Sequence, residues 1–170
     1  MSTLLTKLYQ SRKIILEMLE LRDYDVKSYN NFTINEIDLM IKNSSKKLEA
    51  TNNTLDIIVN HKTNDSKIFV KYILFTKIRP NNLKVLIDEM IEELEPNIND
   101  TIIFISKDKL NNIESFDTIF NCYNNVFLQI FELHKLLINI SKHILVPQLK
   151  ILNKTETSDI LKKYNTNDLN

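Results

Sequence analysis

A chain of 170 residues without a single glycine has no cheap way to set its backbone at positive φ or to bring it hard against a ligand. Average usage of about 7% would put roughly a dozen glycines in a chain of this length. Their absence excludes whole classes of chemistry. The G-x-x-x-x-G-K-[ST] phosphate cradle, the G-x-G-x-x-G dinucleotide turn and the G-x-S-x-G nucleophile elbow all depend on glycine at fixed positions. A nucleotide-hydrolysing or NAD-dependent enzyme is not expected, and no residue is assigned a catalytic or cofactor-binding role.

The other reactive side chains are sparse. Cys122 is the single cysteine, which fits a reducing compartment with no disulfide framework. His61, His134 and His143 lack the pair spacings of zinc sites, so no metal is expected. His134, among Phe131, Leu133 and Leu136, reads as a partly buried, hydrogen-bonded ring. Polar residues interrupt the N-terminal MSTLLTKLYQSRK, and no apolar run approaches the ~18 residues of a membrane span. A soluble intracellular protein with no membrane contact is expected. The 22 basic residues balance 22 acidic ones, which argues against free-standing nucleic-acid binding.

Along the chain, Leu4, Leu5, Leu8, Ile15, Met18 and Leu19 recur at helical spacing and predict a first helix ending near Arg22-Asp23-Tyr24. Thr33-Ile34-Asn35-Glu36 reads as a capping box opening a second helix, with Ile34, Ile37, Met40 and Ile41 on its apolar face. Leu55–Val59 and Lys67–Leu74 are β-branched and aromatic runs around Thr63-Asn64-Asp65-Ser66, which predicts a hairpin. A third helix starts at Pro80, passes Leu83, Leu86, Ile87, Met90 and Leu94, and stops before Pro96. Thr101–Ser106 reads as a strand buried on both faces, Ile113, Phe116, Ile119 and Phe120 as a fourth helix, and Val126–Phe131 as a further strand. Pro147 lacks an N–H and disfavours the α region at Val146, so Ile144–Val146 is expected to be extended. Asn153 and Glu156 form a near capping box for a last helix whose apolar face carries Ile160, Leu161 and Tyr164. An extended strip and one short helix are too little to bury alone, so this segment is expected to dock on something.

Two stretches carry a family resemblance. Asn139-Ile140-Ser141, then His143-Ile144-Leu145-Val146-Pro147, then a helix closing on Leu161-Lys162-Lys163-Tyr164 resembles N-I-x-x-H-x-L-V-P-x-H followed by an acidic helix ending L-L-x-x-Y. Leu8-Tyr9-Gln10-Ser11-Arg12-Lys13 and Met18-Leu19-Glu20-Leu21-Arg22-Asp23-Tyr24 are similar to L-[WY]-x-x-R-K and M-L-x-x-R-G-Y, with Asp23 at the glycine position. Both patterns are those of the fifth subunit of eukaryotic-type DNA-directed RNA polymerases, which has a counterpart in the archaeal enzymes. Gln148 and Leu149 replace the acidic and histidine residues usual after V-P, and Thr155 an acidic one. The family continues into a glycine-bearing β region, D-P-x-x-x-Y-x-G, whereas this chain stops at Asn170, so a shortened or incomplete assembly domain is expected.

The fold class expected is α/β. Residues 1–141 would form a jaw-like domain with a mixed sheet flanked by helices, and 142–170 a partial assembly domain of extended strip and helix. The resemblance implies a non-catalytic subunit that assembles with the largest polymerase subunit and contacts the other subunits. It would meet downstream DNA only weakly and within the complex, and would not form a homo-oligomer. The implied interface is His143, Leu145, Val146, Pro147, Ile160, Leu161 and Tyr164. The chain would be found with its polymerase, in the nucleus of a cell or in the host cytoplasm or virion of a large DNA virus. The Asn, Lys and Ile excess suggests an A+T-rich genome. Two other readings stand beside this one. Asp56 with Asp65-Ser66-Lys67 imitates the carboxylates of a metal-dependent nuclease, although Phe69 stands where an acid before Lys71 would be required. An unrelated adaptor docking through residues 144–164 is the other.

Overall fold

The computed structural model describes residues 3–43, 54–111, 113–142, 145–146 and 152–164. The chain divides into two units, residues 1–139 and 140–170.

The first unit is a three-layer α/β sandwich. Helix α1 (Thr3–Glu20) and α2 (Ile34–Asn43) are followed by strands β1 (Ile57–Asn60) and β2 (Lys67–Ile73), then α3 (Pro80–Leu94), β3 (Thr101–Ser106), α4 (Ile113–Phe120) and β4 (Phe127–Glu132). The sheet order is β1-β2-β3-β4. β1 runs antiparallel to β2, as a tight hairpin must, while β2, β3 and β4 are parallel. The helical connections α3 and α4 cover the same sheet face, as right-handed crossovers stepping in one direction require.

Side chains alternate across the sheet and so build two cores. On one face Ile57, Val59, Ile68, Val70, Tyr72 and Ile105 meet Leu8, Ile15 and Leu19 of α1 and Ile37 of α2. On the other, Phe69, Ile73, Ile102, Phe104 and Leu128 meet Leu83, Leu86, Ile87 and Met90 of α3 and Phe116 of α4. β3 faces both layers, which is why Ile102, Ile103, Phe104 and Ile105 are apolar in succession.

Local chemistry sets the boundaries. Asp23, at the expected cap, takes the left-handed conformation with φ 63°. The Thr33 N–H donates to Glu36 Oε2 at 2.6 Å and the Glu36 N–H to Thr33 Oγ1 at 3.4 Å, a reciprocal capping box. These bonds, the Thr33 N–H first and its hydroxyl second, hold the Glu36 carboxyl below its ordinary pKa. α3 opens with Pro80 and closes on Glu95 at φ 44°. β1 begins two residues later than its apolar run because the Leu55 carbonyl accepts from Arg12 Nη1 and the Asp56 side chain, not a backbone carbonyl, accepts the Tyr72 N–H. The buried Asp100 carboxylate accepts the Lys67 N–H at 2.6 Å and the Asn97 N–H at 2.8 Å, tying the start of β2 to the loop before β3.

His134 is exposed, not partly buried, because in the 3-10 turn Leu133–Leu136 it is Leu133 that enters the core. Its Nδ1 lies 3.3 Å from Glu132 Oε2.

The second unit contains a 3-10 turn, Ile140–Lys142, and helix α5 (Lys154–Tyr164). Asn153 caps α5: its side chain accepts the Glu156 N–H at 2.9 Å, and Glu156 Oε2 accepts the Asn153 N–H at 3.0 Å. Leu145 and Val146, expected to be extended, lie instead in a turn. Ile144 lies outside the described residues.

Candidate partner interface

The carboxylates that imitate a nuclease site do not converge. Asp56 precedes β1 and Asp65 follows it in the hairpin tip, so the strand separates them by roughly 13 Å or more. Asp56 Oδ2 is 2.8 Å from Lys71 Nζ, and the Lys71 side chain is only 4% exposed. Burial raises the Asp56 pKa, and the adjacent Lys71 opposes that shift without cancelling it. Phe69, two residues before Lys71, is buried against α3 and α4. Among the described residues no group of three or more His, Cys, Asp or Glu side chains could hold a metal.

Asp56 belongs to a buried polar cluster that the sequence reading did not single out. Arg12 is 3% exposed and lies between the rings of Tyr29 and Phe32, at 5.6 and 5.5 Å from their centroids. Burial lowers its pKa, with Tyr72, Tyr29 and Asp56 acting in the other direction. Tyr72, fully inside, is pushed up to about 12 by burial. The cluster links α1 to the strands β1 and β2. The only sequence signal for it was a charged pair, Arg12-Lys13, within an apolar-faced helix.

The second unit has the opposite character: polar residues at its caps and apolar residues in solvent. Leu145 is 81% exposed and Tyr164 67%, and Val146 and Ile160 are exposed as well. Leu161 is half-buried. On α5, Tyr164 lies one turn from both Ile160 and Leu161, so the three share a side of the helix. α5 has no buried residue. A short amphipathic helix gains its stability from burying that side, and here the side faces outward. Ile140 and Leu152, also exposed, extend the apolar set beyond the residues named from the sequence. His143 and Pro147 of the expected interface lie outside the described residues.

Residues 138–170 match the family described as RNA polymerase Rpb5, C-terminal domain. Over 162 residues, covering 93% of this chain and 68% of the relative, the chain is 26% identical to DNA-directed RNA polymerases IV and V subunit 5B of Arabidopsis thaliana. The similarity therefore takes in the α/β sandwich as well as the segment that holds the exposed apolar residues. The C-terminal segment is thus similar to the Rpb5 C-terminal domain, and the chain along most of its length to a subunit of DNA-directed RNA polymerases.

Proposed function

We propose that the chain is a non-catalytic polymerase subunit that joins the enzyme by docking residues 142–170 on the largest subunit. Leu145, Val146, Ile160, Leu161 and Tyr164, together with His143 and Pro147, form the contact. The observation that carries this reading is that apolar side chains stand in solvent within the segment matching the Rpb5 C-terminal domain. Buried aliphatic side chains contribute about 1.5–3 kcal/mol each, so a handful of such residues supports a stable complex. The α/β domain, residues 1–141, acts as a jaw near downstream DNA. The whole chain has a formal net charge of +0, so the domain meets DNA through phosphate contacts made only within the complex. The chain works wherever that polymerase works.

The test is a tagged pull-down from the native source with mass spectrometry of the retained proteins, in parallel with a Leu145→Asp, Val146→Asp double variant. The unaltered chain brings down the largest polymerase subunit. The variant loses at least about 3 kcal/mol of contact energy, more than a hundredfold in affinity, and does not. Absence of the largest subunit from the unaltered chain's eluate would sink the proposal.

A further inference from the structure

The two edges of the sheet are treated differently. Along β1 the Tyr29 hydroxyl accepts the Ile58 N–H and donates to the Ile58 carbonyl, both at 3.2 Å. Beside it the Asp25 N–H donates to the Asn60 carbonyl, the Lys62 N–H donates to the Asp23 carbonyl, and Tyr24 makes a β-bridge with His61. The β1 edge is thus covered by the chain's own 23–29 segment. β4, at the other edge, has no neighbouring strand on its outer side among the described residues.

The geometry of that outer side follows from one bond. The Phe127 N–H donates to the Asp100 carbonyl, so the odd-numbered residues of β4 direct their main-chain groups toward β3. Alternation then turns the N–H and C=O of Leu128 and Ile130 outward. The usual protections of an open edge are proline, a bulge or a charged side chain. None of them occurs in Phe127-Leu128-Gln129-Ile130-Phe131, and the one charge of β4, Glu132, stands at its last residue, where it accepts the Leu110 N–H at 2.9 Å.

What fits this edge is written in its own order of residues. Phe127-Leu128-Gln129-Ile130-Phe131 reads the same in chemical character from either end, centred on Gln129. An antiparallel pairing with a second copy about a two-fold axis at Gln129 opposes Leu128 to Ile130 of the second copy. Those are the positions whose main-chain groups point outward, so each such pair exchanges two hydrogen bonds. It also opposes Phe127 to Phe131 of the second copy at non-hydrogen-bonded positions, where side chains approach most closely and aromatic pairs gain most. Phe127 is 60% exposed in the single chain and awaits such a cover. At a formal net charge of +0, two copies carry no long-range repulsion.

We propose that the free chain forms a two-fold dimer through β4, joining two four-stranded sheets into one of eight. This departs from the sequence expectation of a chain that does not self-associate, and it does not rest on the polymerase reading.

Sedimentation velocity from about 1 to about 200 µM tests it, a span that brackets the affinity of a small edge-to-edge contact. The unaltered chain passes from monomer to dimer across that range. Gln129→Lys and Gln129→Glu each oppose like charges at the axis and remain monomeric, and an equimolar mixture of the two restores the dimer. An unaltered chain that stays monomeric, a Gln129→Lys variant that still dimerises, or a mixture that fails to pair overturns the proposal. Because a substitution in β4 can unsettle the sheet, the same dimer is read without one by amide hydrogen exchange. Exchange at Leu128 and Ile130 slows on the order of tenfold at the higher concentration, whereas Gln129, whose N–H already faces β3, does not change. Exchange at Leu128 and Ile130 that ignores concentration overturns it independently.

Discussion

Lys71 pairs with Asp56 of the neighbouring chain segment with its side chain only 4% exposed, and this pair shows how a charge in the core is tolerated. The raised pKa of Asp56 records the cost of burying its carboxylate, whereas truncating it would leave Lys71 buried without its counter-charge. Asp56→Asn is therefore expected to destabilise the fold by about 3 kcal/mol. Adding Lys71→Met should recover most of that loss, and urea unfolding of the two variants checks it. Glu132 works in the other direction. The Leu110 N–H first, then Lys135, His134 and Lys109, hold its carboxyl below the ordinary 4.5. A depressed folded-state pKa contributes stability that is full above the unfolded value and is lost as pH falls through the folded one. Glu132→Gln should flatten the acid limb of the stability curve below about pH 4.5, measured as urea midpoints from about pH 3 to about pH 6. Neither role could be read from the sequence, because each depends on partners 15 or 22 residues away that only the fold brings close.

At the level of elements, local rules go far. Both capping boxes, at Thr33 and Asn153, were legible because a cap is made by residues three apart. Pro80 opens α3 for the same kind of local reason. The lack of glycine leaves its mark where chains usually use one: Asp23 and Glu95 hold the two positive-φ positions among the described residues. Asp tolerates that region better than Glu does. Glu95→Gly should therefore stabilise the chain by about 0.5–1 kcal/mol, the relief of the left-handed strain less the added freedom of the unfolded chain. The melting temperature should rise by about 2 °C, and Glu95→Ala, which keeps a β carbon, should give no such gain. Calorimetry of the two variants distinguishes them. What local rules missed is equally physical. β1 starts late because Arg12 and Asp56 occupy groups that a longer ladder would use, and His134 faces out because Leu133 took the inward position.

On the scale of the whole molecule, the first unit buries apolar residues in two layers, whereas the second leaves most of its described ones in solvent. Stability and binding should therefore separate. Leu145→Asp with Val146→Asp should leave the melting temperature within about 1 °C of the unaltered chain, as exposed substitutions do, while abolishing capture of the largest subunit. The sequence by itself determined the succession of helices and strands, their caps, and the family signature around Leu145 and Tyr164. Each of these rests on spacing within a few residues, where backbone geometry alone decides which side chains meet. The tertiary structure alone decided that β4 lies at an open edge among the described residues, that Asp56 pairs with Lys71, and that Leu133 displaces His134 from the core. Those outcomes depend on how strands and helices become neighbours in the fold. That choice is settled by how both sheet faces are filled at once, and no short window of sequence contains it.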